Sequence, residues 1–410
     1  MKQRRKIPIL LDVALLVMFV SLVFPPITAF INATLISLLC LISWFSLSFL
    51  ANKEFYLKSN YHRFYLFIFF ILTVILPYIF GNGVIGNRYL STSLVPFGVI
   101  IYEFYKENGI YKRLKNILLA TTAFAIITGI ITYVNLLMDP YISRSIKNGS
   151  DEYSASLAAR CIGGYHFIYF VAIASIPVLY IFIKSKKILT KIASILTYLL
   201  CLLIVIKANY LTAFIIIISC SIILIVINFS SGKASFSLIA LLGFLIIGFI
   251  CVINIDSIFK YLENILPPRI ANVILTDDIN VFQSVRDEFI DGRLPTIINS
   301  LSTTFQHPIS GLISSEITTS NEGYLEGFGQ HSYVFDTFAL YGIIIGILNF
   351  IVILRPFKYN GKFIRNSLPL SITMLICAIT LYCVNNATNS IALVVGVMFP
   401  LVRDYYTIEA

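Results

Sequence analysis

Charge is scarce in this chain. Only 12% of its 410 residues are Asp, Glu, Lys or Arg, while 58% are hydrophobic and the mean hydropathy is +0.88. A soluble globule of this composition would have to expose large apolar patches to water. The scarcity of charge therefore excludes an ordinary soluble domain and indicates a polytopic membrane protein.

Motifs for metals and nucleotides are also missing. The chain has no His-Glu-x-x-His, no Asp-x-Asp of the nucleotide-sugar transferases, no Walker-type phosphate loop and no dinucleotide fingerprint. Its 7 cysteines are widely spaced and nearly all lie in apolar runs, which is typical of small core residues and not of disulfides or metal ligands. We therefore expect no metal and no cofactor, so any reaction must draw its energy from an activated substrate.

Long apolar runs dominate what remains. Crossing about 30 Å of hydrocarbon at 1.5 Å per residue takes about 20 residues, and counting such runs predicts about 12 transmembrane helices (11 or 12). The first is not a cleavable signal peptide, because a second span follows Pro25 and Pro26 at once. The predicted spans are 8–24, 27–51, 64–80, 88–104, 115–138, 165–183, 188–206, 209–228, 236–256, 331–354, 366–385 and 387–403.

The distribution of Lys and Arg predicts the orientation of these spans, because both residues are retained on the cytoplasmic side during insertion. Of the 30 basic residues, 21 fall in the N-terminal segment or in alternate loops that twelve spans place on one side. Both termini are then cytoplasmic. The net charge of +10 follows from this topology and does not indicate nucleic acid as a partner.

The same topology divides an all-α chain into three parts. Residues 1–256 hold nine spans, residues 257–330 form a large polar extracytoplasmic loop, and residues 331–410 hold three spans and a cytoplasmic C-terminus. Within the loop, apolar residues recur every three to four positions from Leu294 to Phe305. This periodicity predicts a short amphipathic helix that lies on the membrane surface or roofs the bundle.

Basic residues on the outer side depart from the positive-inside bias. Arg88 opens a predicted span, Arg160 precedes another, and Lys207 lies between two. A cation kept near the mouth of a helix bundle usually faces a cavity or a partner anion. The alternative is that a long loop is translocated regardless of its charge and that its carboxylates neutralise its cations.

Two stretches resemble a known signature. The sequence RLPTIINSLSTTFQHPISG at 293–311, a glycine-containing stretch, and GQHSYVFDTFALYGIIIG at 329–346 are similar to the core of the bacterial O-antigen and capsular polysaccharide polymerase and ligase superfamily, which includes the Wzy-type polymerases. His331, Ser332 and Gly342 match the family pattern, while Gly346 lies slightly late. The family's arginine at an earlier span start is missing here, and Lys207 is the nearest substitute.

The resemblance implies a GT-C-like glycosyltransferase of the bacterial cytoplasmic (inner) membrane, with its active site facing the periplasm or exterior. Such an enzyme joins oligosaccharide repeat units carried on undecaprenyl pyrophosphate into the O-antigen of lipopolysaccharide or into capsule. Donor and acceptor are then both lipid-linked, and a chain-length regulator protein is a further partner of this class.

The implied reaction determines which residue types the active site needs. A pyrophosphate leaving group needs cations that stabilise its growing charge, and the planar fork of arginine suits phosphate oxygens best. The candidate pyrophosphate-binding residues are Arg160, Arg286, Arg293, Arg88 and Lys207.

The acceptor hydroxyl must also lose its proton. His331 is the candidate general base, because its reference pKa of about 6.5 lies near working pH; the alternative is a structural histidine at a helix start. Asp336 is the second candidate catalytic residue; it lies five residues into an apolar span, where it should face the cavity or pair with an arginine. The spacing does not tell whether Asp336 orients His331, since positions i and i+5 do not share a helix face.

Two other functions share this layout. An O-antigen ligase that transfers finished glycan to another acceptor has the same architecture. A polysaccharide or lipid flippase or transporter would also have many spans, but such proteins usually have two similar halves with short loops, and no internal repeat occurs in this sequence.

Overall fold

The chain is an all-α protein. A computed structural model describes residues 7–31, 33–57, 83–146, 152–230, 294–314, 329, 331–358 and 364–408. About 87% of the structure is helical, and no strand occurs in these described residues.

Sixteen α-helices lie within the described ranges. They are α1 Ile9–Val23, α2 Pro26–Phe30, α3 Ala33–Ala51, α4 Lys53–Leu57, α5 Gly83–Glu107, α6 Tyr111–Met138, α7 Ile142–Ser145, α8 Glu152–Ala159, α9 Tyr165–Lys184, α10 Ile188–Lys207, α11 Leu211–Ser230, α12 Leu294–Gln306, α13 Tyr333–Ile353, α14 Ile364–Val384, α15 Thr388–Leu393 and α16 Phe399–Ile408. Short 3₁₀ turns follow α12 (Gly311–Ser314) and α13 (Arg355–Phe357), and a π-helical turn, Val394–Met398, joins α15 to α16.

Six helices of the described part are long and apolar enough to cross a membrane, which confirms the membrane class. They are Tyr111–Met138, Tyr165–Lys184, Ile188–Lys207, Leu211–Phe229, Tyr333–Phe357 and Ser367–Val384, each lying on a predicted span. α1 and α3 are apolar but shorter. The predicted spans 64–80 and 236–256 lie outside the described residues.

Three predicted spans differ in detail from the helices observed. Span 27–51 is not one helix, because α2 ends at Phe30 and α3 begins at Ala33. Span 88–104 lies inside α5, a 25-residue helix that is not among the six. Span 387–403 is built from α15, the π-helical turn and the start of α16.

Helix α9 lies at the centre of the bundle. In its most apolar stretch 78% of the residues are buried, the largest share among the six candidate spans. It packs against α10, α11, α14 and α15. A helix that is apolar all round is expected to be surrounded by other helices in this way.

Helix α5 crosses the last span with its backbone in direct contact. A Cβ added at Gly98 would lie 2.3 Å from the carbonyl oxygen of Ala392, and one added at Gly396 would lie 3.0 Å from the backbone of Gly98. Small residues at a crossing let two helices approach closely within a membrane. The two glycines therefore set how near α5 comes to α15 and the π-helical turn.

Cations that the sequence places on the cytoplasmic side meet at one end of the bundle, here called the inner end. Arg355 lies 3.1 Å from a carboxylate oxygen of Glu103. The other ion pairs there join Arg113 to Asp12, and Lys106 and Arg403 to Asp404. Residues from the ends of five helices thus meet at the inner end, and the opposite ends of α6, α9, α10, α13 and α14 are called the outer end.

Candidate functional site

The outer end carries a network of buried polar side chains centred on Asp336. This carboxylate is only 1% exposed. It accepts hydrogen bonds from the Ser300 hydroxyl at 2.9 Å, the Ser332 backbone N–H at 3.3 Å and the Asn386 amide at 3.2 Å. A buried carboxylate is tolerated when donors of this kind satisfy it. Asp336 therefore joins α12, the start of α13 and the link between α14 and α15.

Ser332 caps helix α13 and fixes its first turn. Its hydroxyl oxygen accepts from the Phe335 backbone N–H at 3.4 Å and donates to the Tyr382 carbonyl at 3.1 Å. Asp336 in turn accepts from the Ser332 N–H, so the side chains of Ser332 and Asp336 together satisfy two backbone N–H groups at this helix start. His331 directly precedes this cap and is exposed.

The non-helical link 385–387 supplies the opposite wall of the network. The Asn385 carbonyl accepts from the Tyr333 N–H at 3.1 Å, and its side-chain oxygen accepts from the Tyr165 hydroxyl at 2.9 Å. Asn386 donates to Asp336. In the described part of the chain, the side-chain oxygen of Asn386 is buried without a hydrogen-bond partner. These asparagines tie the starts of α9 and α13 to the end of α14.

Arg144, on the short helix α7, lies close to Tyr165 and is separated from it by the ring of Tyr210. The ring of Tyr165 lies 5.9 Å from that of Tyr210, and the guanidinium of Arg144 lies 4.8 Å from the centre of the Tyr210 ring. Arg144 also donates to the backbone carbonyl of Asn209 at 2.5 Å. Arginine stacks on an aromatic face in this way when its charge is partly removed from water.

Arg144 and Asn209 keep unused hydrogen-bonding capacity. Among the residues that the structure describes, the Arg144 Nε and both side-chain amide atoms of Asn209 are buried without a partner. Asn209 is fully buried and has a left-handed backbone (φ 55°), which asparagine tolerates better than most residues. Unsatisfied buried polar groups are costly, so their presence here calls for a functional explanation.

The two stretches that carry the family resemblance pack against each other. The Gly329 N–H donates to the Ser300 hydroxyl at 2.9 Å, and Ser300 donates to Asp336. Further along, the Ile343 N–H donates to the Pro308 carbonyl at 2.8 Å. Because these contacts occur in the same order along both stretches, α12 lies beside the first half of α13 and runs in the same direction. The expectation that this helix lies on the membrane surface or roofs the bundle stays a prediction.

Helix α13 is broken at Gly342 to admit the turn after α12. Gly342 has φ 77° and ψ 174°, which interrupts the helical hydrogen bonds and leaves the Ile343 N–H for Pro308. A Cβ at Gly342 would lie 2.5 Å from the Ile309 carbonyl, and one at Gly311 would lie 2.4 Å from the Leu340 carbonyl. Both positions need glycine because of their left-handed backbone and the close approach of another backbone. At Gly346 the missing side chain makes room for the Phe338 ring.

The predicted site residues that the structure describes lie on or beside several different helices. His331 and Asp336 share the start of α13. Lys207 ends α10, two residues before Asn209, and is partly buried. Arg160 follows α8, five residues before Tyr165, and is exposed, while Arg88 is partly buried near the start of α5. Arg286 and Arg293 lie outside the described residues.

Four residues of the network escaped the sequence reasoning as site residues. Ser300 was part of a helix thought to lie apart, Asn385 and Asn386 sat at a span boundary, and Arg144 was one of several outer cations. The signal for the asparagines was two adjacent amides between two apolar spans, where polar side chains are expensive. Within the described ranges, no group of three His, Cys, Asp or Glu residues is arranged to hold a metal ion.

Comparisons with known proteins identify no relative: no family model matches the chain, and neither the curated proteins nor the solved structures give a match.

Proposed function

We propose that this chain is a polymerase of lipid-linked glycans, joining oligosaccharide repeat units carried on undecaprenyl pyrophosphate at the outer end of the bundle. The observation that carries the proposal is the packing of residues 294–311 against 329–346 through Ser300, Asp336 and Gly342. These are the stretches that resemble the polymerase and ligase signature. Their contact forms a buried polar network beside the exposed His331, and the proposed reaction uses this histidine as its general base.

The proposal includes a fuller topology than the six candidate spans. Twelve transmembrane helices in the inner membrane of a bacterium, with both termini in the cytoplasm and one large extracytoplasmic loop at 257–330, would put the outer end in the periplasm or exterior. The clustering of Lys106, Arg113, Arg355 and Arg403 at the other end supports this orientation.

In the proposed reaction the acceptor hydroxyl attacks the anomeric carbon of the donor sugar. A new C1–O bond forms while the bond from C1 to the pyrophosphate oxygen breaks, and the pyrophosphate leaves with the electron pair. Cations at the outer end stabilise that charge. Arg144 joins Arg88, Arg160 and Lys207 in this role, because its guanidinium has a buried Nε that no described residue uses. Arg286 and Arg293 complete the proposed set.

His331 takes the proton of the acceptor hydroxyl in this scheme, and Asp336 positions it. Three donors already bind the Asp336 carboxylate, which suits an anchor better than a base that must approach a substrate. By holding Ser332 and the first turn of α13, Asp336 fixes the point from which His331 projects. No metal or cofactor enters the scheme, because the pyrophosphate donor is itself activated.

The test is a His331→Gln variant, purified and assayed with lipid-linked repeat units. Glutamine keeps the size and the hydrogen bonding but cannot accept the proton. We expect turnover to fall by roughly 10²-fold or more while binding of the lipid-linked substrate changes little. His307→Gln, at the end of α12, is the matched control and should polymerise at the wild-type rate.

Polymer formation by His331→Gln at the wild-type rate would show that His331 is structural. The product also separates the enzymes: a polymerase lengthens lipid-linked glycan, whereas a ligase moves finished glycan to another acceptor and lengthens nothing. Wild-type protein that transfers without lengthening would overturn the polymerase in favour of the ligase.

A transporter of the same lipid-linked glycans is the second candidate. The break of α13 at Gly342 favours it, because interrupted helices line the substrate sites of many transporters. Vesicles that contain the purified protein and a fluorescent lipid-linked oligosaccharide distinguish the two. Movement between leaflets without any change of the glycan would support transport and exclude the proposed reaction.

A further inference from the structure

Helix α12 buries its polar face and exposes its apolar face. Its buried side chains are Ser300, Thr303 and Thr304, whereas a helix on the surface of a soluble protein buries its apolar face. The Thr304 hydroxyl donates to the Ser300 carbonyl at 2.8 Å, and Ser300 donates to Asp336. The polar face of α12 is therefore satisfied inside the protein.

The apolar face of α12 points away from the protein. Leu294, Ile298 and Phe305 fall within one narrow stripe of the helix at 100° per residue, and Ile309 follows in the turn after its end. Phe305 and Ile309 are 75% and 74% exposed. Four large apolar side chains in one exposed row are unfavourable in water but suit hydrocarbon. We call Leu294, Ile298, Phe305 and Ile309 the apolar stripe.

The C-terminal end of α12 reaches deep along a membrane-spanning helix. Pro308 binds the backbone of Ile343, and Gly311 lies against Leu340. Gly342 is nine residues into the candidate span Tyr333–Phe357, which corresponds to about 14 Å at 1.5 Å per residue. That is roughly half of a 30 Å hydrocarbon layer.

Two backbone hydrogen bonds hold the turn at this depth. The Gly311 N–H donates to the His307 carbonyl at 2.9 Å, and the Pro308 carbonyl accepts from Ile343 at 2.8 Å. Leu312 is buried in a small cluster with Tyr89, Leu340 and Tyr341. Non-helical backbone at membrane depth is tolerated only where protein buries it in this way.

We propose that residues 294–312 form a re-entrant membrane segment that enters from the outer end beside α13, and that its apolar stripe contacts the acyl chains of the bilayer. The occupant of the stripe is lipid hydrocarbon because the stripe lies alongside the first half of a candidate span. Neighbouring polar residues lower the cost of this position, since Gln306 donates to the Ser302 hydroxyl at 3.2 Å. The inference does not depend on the proposed reaction.

Spin labels along the stripe test the proposal in the full chain. A cysteine-free variant receives one nitroxide at a time at Leu294, Ile298, Phe305 or Ile309, in phospholipid vesicles, and collisions with oxygen and with a water-soluble nickel complex give the depth. The depth should increase from 294 to 309 by roughly 10–20 Å, as expected from a 1.5 Å rise over fifteen residues. Labels at Ile130 on α6 and Tyr153 on α8, both exposed, provide the lipid and water references.

Two results would overturn the proposal. Equal depth at all four positions would mean a helix lying flat on the membrane surface, and nickel accessibility like that of Tyr153 would mean an aqueous loop. A second measurement retains the native cysteines, in case their replacement prevents folding. A photoreactive benzophenone amino acid at 305 or 309 should cross-link to acyl chains, and cross-links to protein alone would contradict lipid contact.

Discussion

At the inner end of the bundle four cations contact carboxylates, whereas at the outer end Asp336 and Arg144 are held by hydroxyls, amides, an aromatic ring and backbone groups. The ion pairs at the inner end balance the charges of the Lys and Arg side chains located there. At the outer end, the Arg144 Nε and the side-chain amide of Asn209 are buried and make no hydrogen bond to a described residue.

This difference separates a stabilising arrangement from a functional one. In each inner-end pair the charge of the cation is already balanced by a carboxylate. A half-buried guanidinium with an unused donor, next to a buried asparagine with an unused amide, is arranged to bind something anionic and polar. Substitutions of matched residues at the two ends test whether the inner end stabilises the protein and the outer end carries its function.

The largest effect is expected from two glycines that both have a positive φ. Gly342 has φ 77° and meets the 307–311 turn, while Gly109, in the turn between α5 and α6 at the inner end, has φ 68° and nothing within 4 Å of an added Cβ. Gly109→Ala should cost about 1–2 kcal/mol of stability from backbone strain alone. Gly342→Ala should cost more than about 4 kcal/mol and abolish activity, because two backbone carbonyls must also move.

Thermal unfolding in detergent and the polymerisation assay measure both variants. Equal loss of stability would mean that the 307–311 turn yields easily and that the break in α13 is no fixed part of the site.

The second effect compares an arginine at each end. Arg144→Lys keeps the charge but loses the planar fork, so we expect activity to fall by roughly 10-fold or more with little change in thermal stability. Arg113→Lys should leave the chemistry intact but destabilise the protein by about 1.5–3 kcal/mol, since Arg113 binds Asp12 and also donates to the carbonyls of Ile7 and Pro8.

Activity per folded molecule and unfolding temperature, measured side by side, give the result. The opposite pattern, with Arg144→Lys unfolding early and Arg113→Lys inactive, would reverse the roles assigned to the two ends.

The smallest effect concerns pH at the inner end. Burial acts to raise the pKa of Asp404, but the charge of Arg403 and the hydrogen bonds from Lys106 and Tyr102 outweigh it and hold that pKa below its ordinary value. A carboxyl whose pKa is lowered in the folded state stabilises the protein above its unfolded pKa of about 3.9. This contribution is lost as pH falls through the lower, folded value.

Wild type should therefore be more stable than Asp404→Asn by about 1 kcal/mol at pH 7, and the difference should shrink below a pH of about 4. Chemical unfolding in detergent at pH 7 and pH 3 tests this. A difference that does not change with pH would mean that Asp404 acts through packing and not through charge.

The sequence was sufficient for the helices because apolar length is a local property. The six candidate spans lie where runs of apolar residues predicted them, and the start of α13 at His331-Ser332 was recognisable from a short polar stretch before an apolar one. The kink in α13 was not predictable, since it depends on a turn around residue 308 that packs from another helix.

Partners in the candidate site are far apart in the chain. Asp336 binds Ser300 and Asn386, which lie 36 and 50 residues away, and Tyr165 binds Asn385 at a separation of 220. Spacing rules within one helix cannot reveal such contacts. Periodicity identified α12 as an amphipathic helix but not which face turns inward, because that depends on whether the surroundings are water or lipid.

The contact between Gly98 and Ala392 has a mechanical consequence. The space of the missing side chain is occupied by a carbonyl oxygen, so sliding α5 along α15 by one turn would bring the Cβ of Leu94 or Tyr102 into the same backbone. Tilting about the contact requires no such overlap. The crossing is therefore a pivot, and any motion of α5 that opens or closes the outer end must swing the inner end of the same helix, with Lys106 and its carboxylate partner, in the opposite direction.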